Sequence, residues 1–487
     1  MSLGFTVVGH AGLYIVTDEI SILVDPWVVG SAYWRSWWNY PPARYEPEHL
    51  APDYVYLTHH HFDHFHYPSM RRIDRRTKIL MARFGVDVMP RELQQLGFHD
   101  LIELPHGEPM ILPGGTKIAS YQYGFDDSAF MLQHGDVTLA DFNDCKIRGR
   151  PLAPILKEFG NPTFLFKNHS WAQAYPNCYT ADDPKDLEYL SAEDYAEDFI
   201  VTANDLRPRY AVPFASMVCF LHPETLRFNS SMITPLQIGK AFAAASTNPN
   251  TGFEIMVPGD TWHSETGFAR SDEDPWSDVP AQIEAMAEEV RPTIEKQREI
   301  EAATVLRFAD FHDYFMDFAR SLPPGVRWLF KAPIVFETQA TSEPFWSVDL
   351  RKRRVSRGQH RPVTYANVIR MPDALLADSM EKRIVDFVNI SMRLRVHIAS
   401  GGTRSDFLFW GLLSVYELGY LPLRKRFRWR TLSVLWRRRR EFQELALRLV
   451  RRGPLIEKVL ASQMATSEAT ALARDDDLGN QTGTTKH

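Results

Sequence analysis

Thr58-His59-His60-His61-Phe62-Asp63-His64 gathers four metal-binding side chains into one short loop, in the pattern T-H-x-H-x-D-H. His59 and His61 can share one ion, while Asp63 and His64 can turn back toward a second. Imidazoles joined by a carboxylate suit zinc, iron or manganese. Asp63 is also the catalytic candidate: if it does not ligate tightly, it can orient a water or shuttle its proton. The apolar run Tyr54-Val55-Tyr56-Leu57 comes directly before. The loop is therefore expected to leave a buried strand, whose rigid end holds several ligands at low entropic cost. A chance surface cluster of histidines would rarely fall at this spacing after a strand.

One loop does not complete a two-metal site. A carboxylate able to bridge two ions is expected from Asp141 or Asp144, which both follow the run Val137-Thr138-Leu139-Ala140. His222, in Leu221-His222-Pro223, and His169, in Lys167-Asn168-His169-Ser170, follow later strand-like runs and are further candidates. Taken alone, each of these two is more often an ordinary satisfied histidine.

The elements that must position these groups can be read from the first 270 or so residues, where short β-rich runs alternate with turns and helices. Phe5–Val8, Leu13–Val16, Ile20–Val24, Lys78–Met81, Lys117–Ser120, Thr163–Phe166 and Tyr210–Pro213 read as strands. Phe130–Leu132 and Val137–Ala140 read as a hairpin about His134-Gly135-Asp136, and 192–205 as a helix. The fold class is α/β, with strands inside and helices outside. After about residue 275 the character changes. Val279 to Thr304 is a charged helix, Trp328 to Val355 reads as strands, and residues 372 to 395 look helical and amphipathic. The expected organisation is a metal domain over 1–270, a smaller α+β domain over 271–461 with a faint sterol-carrier-like look, and a disordered polar tail over 462–487. Dimerisation or shielding of substrate is an equally good role for the second domain.

Composition narrows the function. The chain has 487 residues and a net charge of −6, so nothing draws it to nucleic acid. Three cysteines without a C-x-x-C pair argue against a disulfide framework or a thiolate knuckle. The opening residues lack a secretory signal pattern and no apolar run is long enough for a membrane span, so a cytoplasmic protein is expected. Residues 424–440 interleave arginine with tryptophan. They read either as a solvated face paired with acidic residues elsewhere or as a contact with an anionic membrane surface or an acidic partner.

With these residues in place, the chain resembles the metallo-β-lactamase superfamily. Gly9-His10-Ala11-Gly12 and the following Val-Asp-Pro-Trp resemble the branch containing ascorbate-phosphate lactonase. A closer resemblance is to the metal domain of the CMP-N-acetylneuraminate hydroxylase family. It is carried by Asp25-Pro26-Trp27 through Arg35-Ser36-Trp37-Trp38, Asp144-Cys145, Pro213-Phe214-Ala215, His222-Pro223 and Pro258-Gly259. The resemblance spans roughly residues 5 to 265 and implies an αββα sandwich with a dinuclear centre. It implies His59, His61, Asp63, His64 and His222 as ligands and prefers Asp144 over Asp141 as the bridge. Superfamily members usually place another histidine before the bridging aspartate. Here Tyr123-Gly124-Phe125-Asp126-Asp127-Ser128 occupies that stretch, and Asp126 or Asp127 is expected to supply an oxygen instead. A carboxylate-rich site favours iron or manganese over zinc.

The hydroxylase family also carries a Rieske domain, whose C-x-H and C-x-x-H pairs are not formed by Cys145, Cys178 or Cys219. The resemblance therefore implies a dinuclear iron monooxygenase that draws electrons from a separate reductase or ferredoxin. The alternative is a two-metal hydrolase of a phosphodiester, lactone or sulfate ester, and a scaffold with a degenerate site is a third reading. In this fold the loop bearing Arg35, Trp37, Trp38 and Tyr40 borders the metal cleft. There it could grip an anionic or ring-bearing small molecule, or equally pack onto the second domain. His10 is expected to hydrogen-bond within the first turn rather than face the cleft.

Overall fold

A computed structural model describes residues 1–441 apart from 171–172, 273, 424–428 and 440. The expected tail, 462–487, and part of the basic segment lie outside the described residues. Two sheets stack face to face. The first has eight strands in the order Gly267–Ala269, Thr261–His263, Leu3–Val7, Leu13–Thr17, Ser21–Val24, Tyr54–Leu57, Lys78–Ala82 and Leu101–Leu104. The second has seven, in the order Gly252–Phe253, Tyr210–Pro213, Phe164–Lys167, Val137–Asn143, Asp127–His134, Thr116–Tyr123 and Met110–Leu112. Helices cover the outer faces, giving the expected αββα sandwich.

The strand before the metal-binding loop shows why the sheets stack. All four residues of Tyr54–Leu57 are buried. Alternate side chains leave a strand on opposite faces, so Tyr54 and Tyr56 enter the core between the sheets while Val55 and Leu57 pack under the outer helices. Tyr56 stacks on Phe130 of the opposite sheet, with ring centroids 4.0 Å apart, and donates its hydroxyl to Ser120 at 2.9 Å. Ser128 in turn donates to the carbonyl of Thr58 at 2.6 Å, which fixes the first residue of the loop.

Strands Ser21–Val24 and Tyr54–Leu57 run parallel, as do Val137–Asn143, Phe164–Lys167 and Tyr210–Pro213. Their carboxyl ends deliver Asp25, the 58–64 loop, Asn143-Asp144 and His169. The expected hairpin about Gly135 is present, pairing Asp127–His134 with Val137–Asn143. The expected helix is Ala192–Leu206, started by a capping box between Ser191 and Asp194.

The second half forms a six-stranded sheet under helices. Helix Phe308–Ser321 buries Phe311, Tyr314, Phe315 and Phe318, a stripe of helical period that packs on Phe336, Trp346, Phe409 and Tyr416. The amphipathic stretch 372–395 is not one helix. It divides into Asp373–Lys382 and Asp386–Ser391 and ends in strand Arg395–Ile398. Arg383 and Met392 adopt left-handed backbone at the two breaks, and the second break turns Arg393 into the interior.

The two halves interleave. Tyr179–Ala181, from within the first 270 residues, is an edge strand of this six-stranded sheet, paired with Arg395–Ile398. Arg393 is buried where they meet, donating to both oxygens of Glu301, both of Glu224 and the carbonyl of Trp34. Among the described residues no helix is long and apolar enough to cross a membrane.

Removing one partner of a buried charge cluster leaves the others uncompensated. Arg393→Met is therefore expected to lower the unfolding free energy by about 3 kcal/mol, read by guanidinium titration. Adding Glu301→Gln to that variant should recover part of the loss.

Candidate metal centre

Two sets of donor atoms lie close enough to enclose ions, each set mutually within 4.8 Å: His59, His61 and Asp144, and His10, Asp63 and His64. Hydrogen bonds decide which ring nitrogen is free in each. Thr58 Oγ1 donates to Asp25 Oδ2 at 2.7 Å and so accepts from His59 Nδ1 at 3.0 Å. His59 Nε2 is left facing His61 Nδ1, 2.9 Å away. His64 Nδ1 donates to Asp25 Oδ2 at 2.7 Å. Its buried Nε2 has no hydrogen-bond partner and lies 3.4 Å from both Asp63 Oδ2 and Asp144 Oδ2. Asp25 thus fixes the tautomer of His64 directly and that of His59 through the Thr58 hydroxyl, the kind of outer partner that orients a metal-ligating histidine.

The electrostatics agree with that use. Burial and the neighbouring rings hold His59 well below its usual pKa, and burial lowers His61, so both are neutral and able to ligate. Burial disfavours the Asp63 anion, but His64 and His10 outweigh it and keep the carboxyl ionised. Burial likewise opposes the charged form of His64, yet Asp63 and Asp25 raise it well above its normal value. A proton at that point, between carboxylates that a cation would otherwise neutralise, marks where positive charge is wanted. The residues present fit a dinuclear metal centre.

Asp144, rather than Asp141, reaches both sets: its Oδ2 lies 3.9 Å from His59 Nε2 and 3.4 Å from His64 Nε2. Asp141 is buried with neither oxygen hydrogen-bonded, and burial together with Asp25 raises its pKa well above the usual range. Lys167, itself buried, supports the loop behind Asp144 by donating to the Cys145 carbonyl at 3.1 Å and pairing with Asp198 at 2.7 Å.

Asp126 lies beyond the His61 ring, 3.9 Å from Nε2 and 3.8 Å from His60 Nδ1, while Asp127 lies 3.7 Å from His59 Nδ1. His222 is buried beside Arg393 with Nε2 unpartnered, and burial pushes it down to about 3. It is not in either set of donors. His169 is buried behind the site, also pushed down to about 3 by burial.

His10 departs from the expectation of a bond within its own turn. Its Nε2 meets Asp63 Oδ2 at 3.1 Å, because the backbone N–H of His10 is held by Asn39 and the ring is wedged beside Trp27 and His64.

Three further residues carry the site without having been singled out. Tyr33 donates to Asp63 Oδ1 at 2.6 Å, which occupies the oxygen opposite His10. Tyr33, Trp34 and Arg35 are consecutive left-handed residues, a strained turn that aims the phenol inward. Asn143 donates to Asp25 Oδ2 at 2.8 Å. Phe387, from the second half, roofs the loop, with ring centroids 5.0 Å from His60, 5.2 Å from His61 and 4.9 Å from Phe62. Asp25, a fourth supporting residue, is the one with a sequence signal, as an acid ending an apolar run. Of the expected substrate grip, Trp37 is buried against Tyr33 and Phe220, and Trp38 and Tyr40 pack toward helix Val279–Ala303. Arg35 reaches Ser31 at 3.4 Å.

Residues 4–155 match the family model of the beta-lactamase superfamily domain. The αββα sandwich is of the metallo-β-lactamase fold class, and residues 4–155 within it are similar to that superfamily. The chain is 31% identical over 278 residues to a Mycobacterium tuberculosis protein named as a Rieske 2Fe-2S iron-sulfur protein, a match covering 53% of this chain and 52% of the relative. The chain thus spans about half the length of such curated relatives. It is 31% identical over 83 residues to the cytidine monophosphate-N-acetylneuraminic acid hydroxylase of Asterias rubens, covering 17% of this chain and 13% of that one. Among solved structures it is similar to Igni18, a metallo hydrolase from Ignicoccus hospitalis, at 18% identity and a TM-score of 0.37, covering 54% of this chain and 98% of that one.

Asp25→Asn weakens the carboxylate behind His64 and is expected to lower metal affinity about 10- to 100-fold, measured by competition with a chelator. In the same assay Asp144→Asn should lose metal, while Asp141→Asn retains it.

Proposed function

We propose that this metallo-β-lactamase domain is a dinuclear iron monooxygenase of the hydroxylase type, supplied with electrons by a separate reductase or ferredoxin. The observation that carries the reading is the crowd of carboxylates at the centre. Asp63, Asp126, Asp127 and Asp144 all lie within 4 Å of a histidine ring nitrogen of the loop, and oxygen-rich sites favour iron or manganese. The local similarity to the sialic-acid hydroxylase supports the same choice.

In this reading His59, His61 and Asp144 would hold one ion, and His10, Asp63 and His64 the other. When bound, the ions supply dioxygen binding and activation. The protein's own residues do the rest. Asp25 keeps His64 oriented, and Tyr33 and His10 fix both oxygens of Asp63. Asp63 is the group placed to hold or pass a proton beside the centre. Phe387 excludes water from the loop, as the second half closes over it. Arg35, on the loop that carries Tyr33, is the cation proposed to meet an anionic small-molecule substrate.

The alternative is hydrolysis of a phosphodiester, lactone or sulfate ester, where the same donors would activate a water. Metal analysis of protein purified with and without oxygen, followed by iron or zinc reconstitution, separates the two. The expected result is about two irons per chain, a visible absorption band, and oxygen consumption with an external reductant. Two zinc ions with ester hydrolysis and no response to oxygen would instead establish the hydrolase.

A further inference from the structure

Helix Trp429–Arg437 is turned the opposite way from an ordinary surface helix. Its protein-facing side carries Arg430, Thr431 and Val434, with Arg437 exposed at the edge. Arg430 pairs with Glu103 and donates to the carbonyls of Phe84 and Val86, Arg437 pairs with Glu108, and Thr431 and Val434 are buried between them. Its apolar face is in solvent. Trp429 is 82% exposed, Trp436 70%, Leu432 43% and Leu435 42%. At 100° per residue these four fall within one stripe, and the Arg439 guanidinium lies over the Trp436 ring at 5.0 Å. A surface helix normally shows the reverse arrangement.

The stripe sits beside the metal centre. Directly after the helix, Glu441 accepts from the backbone N–H of Gly124 at 3.1 Å. Just before it, Tyr420 donates to the Phe125 carbonyl at 2.8 Å and packs on the Phe125 ring. Gly124 and Phe125 form the turn that leads into Asp126 and Asp127.

We infer that Trp429, Leu432, Leu435, Trp436 and Arg439 seat this protein on an anionic lipid surface, with the turn that carries Asp126 held at that surface. Indole rings favour the headgroup level, leucines enter the acyl boundary, and arginine meets lipid phosphate. Charge selects this occupant over a second copy of the chain. Residues 424–440 contain nine arginines and lysines and no acidic residue; three of them pair with Glu103, Glu108 and Glu441, which leaves the segment a positive excess, so two copies of it would repel one another, whereas an anionic leaflet attracts it. A purely electrostatic protein contact would leave the indoles without a role.

The test is sedimentation of the full chain with vesicles of phosphatidylcholine alone or mixed about 3:1 with phosphatidylserine. Binding is expected only with phosphatidylserine and should weaken as salt rises. W429S/W436S should reduce the bound fraction at least about tenfold while circular dichroism and metal content stay unchanged. R439E, which keeps the apolar stripe intact, should also bind less. Absence of binding, equal binding to neutral vesicles, or binding that survives W429S/W436S would overturn the proposal. So would a dimer in light scattering that W429S/W436S converts to monomer without any vesicle binding.

Discussion

Four hydrogen bonds converge on the carboxylate of Asp25, a side chain with no solvent exposure: from the Thr58 N–H and hydroxyl, His64 Nδ1 and Asn143 Nδ2. A buried carboxylate costs several kcal/mol in lost hydration unless such donors replace the water. Here they come from the ends of two strands in different sheets, and Asp25 itself ends a third. Asp25 therefore registers the first sheet against the second at the one level where metal ligands emerge. Its left-handed backbone, and that of Asn143 beside it, are strained conformations held by this network, a pattern common at functional sites.

Around that pin the imidazoles are ordered outward. The nitrogens facing Asp25 and Thr58 are committed, which leaves the opposite nitrogens to face one another across a small space lined by carboxylates. The arrangement is dense in like charge and depends on positive charge between the rings. Lys167 and Asp198 brace the loop behind Asp144 from within the protein, so the carboxylate common to both sets of donors has a rigid support on the side away from the centre.

The second half packs over the centre. Phe387 lies over the histidine loop, Arg393 clamps the turn that carries Tyr33, and Tyr179–Ala181 crosses from the first half into the six-stranded sheet. Helix Trp429–Arg437 extends the same contact around the rim to the turn before Asp126.

The histidine loop, the strand before it, the hairpin about Gly135 and the α/β class were legible in the sequence, because alternation and turn residues are local signals and T-H-x-H-x-D-H is a dense one, while the αββα order was implied by the family resemblance. Asp144 and Asp141 could not be separated by spacing. Only the bulge after Asp141, where the strand register shifts, sends one toward the rings and leaves the other buried without a partner. His10, Tyr33 and Phe387 were not legible because each acts across a long sequence separation. The break in 372–395 was missed because the stretch has helical composition throughout, while the ion pairs drawing Arg393 inward come from Glu224 and Glu301. Sequence by itself determined which side chains could bind metal and which strands would present them. Tertiary structure decided which ring nitrogen and which carboxylate oxygen face the centre, since that choice rests on hydrogen bonds between strand ends that meet only when the sheets stack.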